Sequence, residues 1–265
     1  MPVLRELLRV VAWSTCALSL LHHACAAPIA VRYHEASAHG FVVVSSVSDR
    51  RLAAGEMTQS ANGKQVTARL TLHFKDGSIY DETTVYAQGA TFRLLSNHVR
   101  EHGPTFPKPT DEYIDAQKGE VTLSESKDGG NAETHRVEIP DDAANGLVLV
   151  LLKNMTVPTP DTTVSMITAS SKPRVIKLKI HSEGRENFDA SGFVIKAVHF
   201  VVHTDIGGVT GLLAKAAGKQ PPDTHVWLSS GAVPTFVKFR GPLFEQGPIW
   251  TVELSPVRSA QTEDH

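Results

Sequence analysis

Cysteine is all but missing from this chain: there are two among 265 residues, Cys16 and Cys25, and both precede Ala27. Once the residues before Ala27 are removed, no disulfide and no thiol chemistry remain, and the fold must be held by its core alone, which a domain of this size can do. An excess of either charge is missing too. Lys and Arg number 26 against 28 Asp and Glu, a formal net charge of -2, so no overall field draws nucleic acid or an anionic membrane surface. Beyond the opening residues no apolar run nears the roughly 20 residues that cross a bilayer as a helix. What is present suits a folded protein with a core: 41% hydrophobic, 6% aromatic and 20% charged residues.

The opening residues read as an export signal. Arg5 and Arg9 flank a mostly apolar run from Val10 to Leu21, and Ala24-Cys25-Ala26 supplies the small-x-small pattern of a cleavage site. A signal over 1–26, cut before Ala27, leaves 27–265 as one domain in the periplasm or outside the cell. A membrane anchor is the rival, but Ser14, Thr15 and Ser19 interrupt the apolar run and His22-His23 ends it short of a span. Lipid modification of Cys25 is a second rival; His22 and His23 stand where that signal takes small or aliphatic residues.

Period two dominates the rest. From Val66 to Lys75 one face carries Val66, Ala68, Leu70, Leu72 and Phe74 and the other Thr67, Arg69, Thr71, His73 and Lys75, a half-buried strand. Asp76-Gly77 follows as a hairpin signal, and Asn62-Gly63 marks another turn upstream. Strands are predicted over 30–35, 41–46, 79–88, 91–98, 119–124, 135–139, 163–168, 174–181, 192–204, 225–229, 233–240 and 249–254. That many strands at short spacing, with too few helices for parallel crossovers, point to an antiparallel sheet that curls or closes.

Two segments break the rhythm. Asp142 to Asn154 is predicted helical, with Asp142 as N-cap and Asn154 as stop, although Gly146 interrupts it. In GGVTGLLAKAAGKQPP, Val209, Leu212, Leu213, Ala216 and Ala217 form one apolar helical stripe that Gly218 and Pro221-Pro222 end. This stretch is not a phosphate loop: six residues separate Gly211 from Gly218, and Gln220 stands where a Walker loop has Ser or Thr.

Chemistry has few footholds. There is no Gly-x-Ser-x-Gly elbow and no His-Glu-x-x-His. Of the 13 histidines, His199 and His203 share a strand face but lie about 13 Å apart along it, too far for one ion. His98 and His102 meet only on a helix, which Gly103-Pro104 opposes. One carboxylate is unusual. With a two-residue turn at Asp76-Gly77, Leu72 pairs with Asp81, placing Asp81 on the apolar face, where it can orient a polar ligand head, and Glu82 on the polar one. A bulge or a longer turn flips this register and returns Asp81 to the polar face.

The final strands carry Trp227, Phe236, Phe239, Phe244 and Trp250, as core or as the wall of a ligand space. HVWLSSGAVPTFVKFRG, with Trp227 and Pro234, resembles the terminal hairpin of lipoprotein-carrier (Lol-type) half-barrels. FKDGSIYDETTVY, DAANGLVLVLLKN, GGVTGLLAKAAGKQPPD and GPIW are similar to blocks of an uncharacterised family of exported bacterial proteins. The carrier resemblance implies acyl chains held in the concave face of a bent sheet. Its floor would be Leu70, Leu72, Phe74, Ile176, Leu178 and Ile180, and its lid the helices with Leu149 and Leu152 and with Leu212 and Leu213.

The expectation is therefore a mainly β protein: a single strongly curved antiparallel sheet, a half-barrel of roughly a dozen strands, with two short helices over the open side. It would bind an apolar or lipid-like molecule without catalysis or cofactor, through Leu70, Leu72, Phe74, Asp81, Leu149, Leu152, Leu212, Leu213, Trp227 and Phe236. The alternatives are a metal-assisted hydrolase built from Asp81, Glu82 and histidines, and an envelope protein that offers an edge or loop to a protein partner.

Overall fold

Apolar and polar residues alternating along the chain build fourteen strands among the described residues. These residues, 28–124, 132–158, 160–168, 170–190, 193–207 and 220–255, are those described by a computed structural model. The segments expected to form an export signal over 1–26, a loop over Lys127–Asn131 and a helix over Val209–Ala217, with Leu212 and Leu213, lie outside them. In chain order come β1 (Ala38–Ser46), β2 (Arg51–Asn62), β3 (Gln65–Phe74), β4 (Ile79–Gln88), β5 (Phe92–His102), β6 (Thr110–Asp115), β7 (Glu120–Ser124) and β8 (Glu133–Arg136). Helix α1 (Val148–Asn154) follows, then β9 (Thr162–Ile167), β10 (Val175–Ala190), β11 (Phe193–Asp205), β12 (Thr224–Ser229), β13 (Phe236–Gly241) and β14 (Trp250–Leu254).

All fourteen form one antiparallel sheet in the order β8-β7-β6-β5-β4-β3-β2-β1-β14-β13-β12-β11-β10-β9. The chain meanders outward from β1 to the edge at β8, crosses through α1 to the opposite edge at β9, and meanders back until β14 pairs with β1. A flat sheet would set β7 and β9 on the order of 60 Å apart. Instead one buried cluster joins Ile114 of β6 and Val121 of β7 to Val164 of β9 and Leu178 of β10 through Leu147, Leu151 and Leu152 at α1. The sheet is thus curled around the helix, and its edges β8 and β9 remain unpaired with each other.

A second cluster fills the same inner face near the central strands, with Val42, Val44, Leu72, Phe74, Trp250 and Val252 under Phe106. Aromatic contacts knit it together: Phe74 lies 5.1 Å from Trp250 and 5.5 Å from Phe106 between ring centres.

Helix α1 starts at Val148 rather than at Asp142. Gly146 takes φ +67°, which breaks the helical path, and Ala144 N–H donates to the Ser165 carbonyl of β9 at 2.8 Å instead. Asn154 does end the helix. Its side chain donates to the Val150 carbonyl and accepts the N–H groups of Arg32 and Tyr33 at 2.7 and 2.8 Å. The strand predicted over 30–35 is not formed: only an isolated bridge, Ala30 to Thr91, is present there. This segment is a strap held by side chains, among them Glu35, whose carboxylate meets Lys153 of α1 at 2.6 and 2.7 Å.

Two strands, β2 and β6, go unread in the sequence. LAAGEMTQS in β2 is poor in β-branched residues, and β6 reads TDEYID because one of its two buried residues is Glu112.

Candidate functional site

The β3–β4 turn decides which carboxylate faces inward. It has three residues, Lys75, Asp76 and Gly77, closed by Phe74 N–H to Ser78 carbonyl at 2.9 Å and Gly77 N–H to Phe74 carbonyl at 3.1 Å, with Gly77 at φ +85°. This is the three-residue hairpin that needs a left-handed glycine. Asp76 fixes it further, accepting Ser78 N–H at 3.0 Å and the Thr105 hydroxyl at 2.7 Å. The register is one residue away from the two-residue expectation: Leu72 pairs with Tyr80, Thr71 with Asp81 and Leu70 with Glu82. Asp81 is therefore on the outer face and Glu82 on the inner one.

On the outer face Asp81 is clamped by Arg69, through Nε at 3.0 Å and Nη2 at 2.6 Å, and by Arg100 Nη2 at 2.8 Å. The Arg69 hydrogen bonds, with those of Arg100, hold its carboxyl below the usual range despite its burial. As Asp81 and Glu82 face opposite sides, they cannot serve one hydrolytic centre. Among the described residues no three His, Cys, Asp or Glu side chains converge as a metal cage.

The pairings draw a continuous row across the inner face, Met57-Leu70-Glu82-Val99-Glu112-Leu123, running from β2 to β7. The neighbouring row holds Tyr80 beside Glu101, and the row on the other flank holds Thr84 beside Asn97. Glu82 accepts the Tyr80 hydroxyl at 3.1 Å and Asn97 Nδ2 at 3.0 Å; the same Asn97 amine also meets Thr84 Oγ1 at 2.9 Å. Glu101 and Glu112 are buried, at 9% and 6% exposure. Glu112 Oε1 is enclosed and has no hydrogen-bond partner among the described residues. His135, on the same face of β8, is enclosed at Nε2 with no hydrogen bond among the described residues, 3.5 Å from Glu133 Oε2.

Burial sets the electrostatics of this cluster. It pushes Glu101 up to about 7 and, with the neighbouring Glu82 and Glu101 charges, Glu112 up to about 8. Burial also raises Glu82, against the opposing hydrogen bonds of Asn97 and Tyr80. The Tyr80 phenol is pushed well above its ordinary range by burial and then by Glu82, Glu101 and Glu112. Gly146 seals one side: a Cβ there would strike Thr84 Oγ1 and lie 2.7 Å from Asn97 Nδ2 and 3.0 Å from Glu82 Oε1. Only glycine lets that backbone come so close.

Of the residues expected to line a ligand space, Leu70, Leu72, Phe74 and Phe236 come together in or against the second cluster. Leu152 is buried in the first cluster, with Leu149 packed against it and Leu178 and Ile180 also inside it. A pocket beside them, lined by Pro28, Ile29, Phe92, Leu147, Leu151 and Val164, has room for about one water molecule. Trp227 belongs to the other side of the sheet, since its neighbours Val226 and Leu228 face inward.

There Trp227 stacks on His199 with centroids 4.4 Å apart and planes 12° from parallel. Glu186 bridges the two, accepting Trp227 Nε1–H and meeting His199 Nδ1, both at 2.9 Å. His199 Nε2 meets His225 Nδ1 at 3.0 Å, while His203 pairs with Asp223 at 2.7 Å. His199 and His203 are thus engaged separately.

No family model matches the chain, and no curated protein does. A solved structure is similar to it in outline. The crystal structure of a β-barrel-like protein of domain of unknown function DUF1849 from Brucella abortus aligns with 84% of this chain and 97% of its own length, at 11% identity and a TM-score of 0.47.

The acidic row was missed in the sequence. Glu101 lies beyond the strand expected over 91–98 and Glu112 in a segment with no strand expected, while the sequence leaves two turn lengths open, only the longer of which turns Glu82 inward. The only available signal was the Gly77 position, which serves a three-residue turn as well as a two-residue one.

Proposed function

We propose that this protein is a non-catalytic binding protein of the cell envelope, exported by its leader, that holds an amphipathic molecule against the inner face of its curled sheet. The observation that carries this reading is the row Met57-Leu70-Glu82-Val99-Glu112-Leu123. Apolar side chains that stay partly accessible, Met57, Leu70 and Val99, alternate in it with carboxyls, and one carboxyl oxygen is enclosed without a partner among the described residues. A site with an apolar body and a few convergent polar groups is the form that small-molecule sites take. The apolar part of the ligand would lie over Leu70, Met57 and Val99, and its polar head among the carboxyls.

Native mass spectrometry of protein isolated from its own compartment tests this. The expected result is a bound compound of a few hundred daltons, lost from Val99→Trp, which fills the row between Glu82 and Glu112. A clean apo mass in the unaltered protein overturns it.

A further inference from the structure

We propose that the ligand's polar head is a cation of the alkylamine class, seated among Glu82, Glu101 and Glu112; this rests on the binding site proposed above. The four buried acids among the described residues divide by face and by partner. Glu35 has Lys153 at 2.6 Å, and Asp81 has Arg69 and Arg100 at 2.6 and 2.8 Å. Glu101 and Glu112 meet no cation among the described residues: burial acts on Glu101, and burial with the Glu82 and Glu101 carboxyls acts on Glu112. Glu82 receives only the neutral donors of Tyr80 and Asn97.

Where this chain buries a carboxylate to hold its own structure, it supplies Lys or Arg. The inner cluster lacks that complement, and Glu112 Oε1 is an enclosed acceptor with no donor within the described residues. Burying carboxyls without a partner is costly, and the cost is relieved by protonation or by a cation that enters. A primary ammonium brings one positive charge and three N–H donors to groups that offer acceptors and no cation among the described residues. An anionic head, such as a phosphate or a carboxylate, would meet three acids, and an uncharged alcohol would leave their charge unanswered. Leu70, Met57 and Val99 offer the apolar surface for the attached chain.

Titration calorimetry of the purified protein with n-decylamine, decanol and decanoate at pH 8, each below its micellar concentration, tests the inference. Decylamine is expected to bind at least tenfold tighter than the other two. Its binding should release protons, seen as a dependence of the measured heat on the ionisation heat of the buffer, because the entering cation drives the carboxyls to ionise. Glu112→Gln and Glu101→Gln are expected to weaken decylamine at least tenfold and to leave decanol unchanged. Equal or tighter binding of decanol or decanoate overturns the cationic head while leaving an amphipathic ligand in place. If none of the three binds, the inference falls, and the native mass of the isolated protein decides separately whether any ligand is carried. Unaltered decylamine affinity in both variants, with their circular dichroism intact, also overturns it.

Discussion

Arg69 and Asp81 meet through two parallel bonds, Nε to Oδ1 at 3.0 Å and Nη2 to Oδ2 at 2.6 Å, across the β3–β4 pair. The fork-to-fork geometry is the strong form of an ion pair, and Arg100 adds a third bond from β5. Both arginines are about half exposed, so solvent screens much of the gain. Asp81→Asn is expected to lower stability by about 1–2 kcal/mol at pH 7. The folded carboxyl lies below its unfolded value of about 3.9. The contribution is therefore present above that value and lost as pH falls through the folded one. Urea midpoints of wild type and variant should differ at pH 7 and converge near pH 2; a difference that persists in acid would refute the assignment.

The inner carboxyls run the opposite way. Glu101 at about 7 and Glu112 at about 8 lie above the unfolded value, so the folded chain binds more protons than the unfolded one between roughly pH 4 and 8. Their contribution is complete below the unfolded value and is lost as pH rises through 7 and 8. Urea midpoints should fall from pH 5 to pH 8, and the double variant Glu101→Gln, Glu112→Gln should flatten this slope. Above pH 8 the variant should be the more stable, by on the order of 3 kcal/mol. A slope unchanged in the variant would remove these two groups as its cause.

Strand type, antiparallel pairing and the inward set Val66, Leu70, Leu72 and Phe74 were legible because period-two alternation is a direct imprint of the pleat. Register stays open in the sequence. Asp76-Gly77 serves two turn lengths, and one residue of difference exchanges Asp81 for Glu82 on the inner face. Burial of Glu101 and Glu112 was equally hidden, because charged residues at inward positions make a strand read as loop. The rows that assemble this site come from six strands of different lengths, and no local pattern encodes how they align.

Asn154 links α1 to the strap. Its buried side chain accepts the backbone N–H groups of Arg32 and Tyr33 and donates to the Val150 carbonyl. Asn154→Ala would leave two backbone donors without their acceptor, at a cost of about 1–3 kcal/mol for each that stays buried. Because the partners belong to an irregular segment, the loss should be local first. Limited proteolysis is expected to cut near Arg32 in the variant well before it cuts the sheet. Equal cleavage kinetics in the two proteins would show that the strap is held without Asn154, by Glu35 with Lys153 and by Gln88, whose side chain accepts the Glu35 N–H at 2.7 Å and donates to the Glu35 carbonyl at 2.9 Å.

On the outer face the stacking of His199 against Trp227 provides an optical readout of one titration. Burial disfavours the charged imidazole, and although Glu186 opposes this, His199 lies below its ordinary range. A protonated imidazole in ring contact quenches indole emission, whereas the neutral ring does so weakly. Trp250 is buried in the inner cluster, so the difference between wild type and Trp227→Phe isolates the stacked indole. That difference is expected to fall on acidification with a midpoint below about 6.5, and to lose most of its pH dependence in His199→Gln, which leaves the more distant His225 ring, 6.0 Å from Trp227. Glu186→Gln removes the group that favours the imidazolium and should move the midpoint further down. An upward move in that variant would mean that Glu186 does not act on the His199 that Trp227 reports.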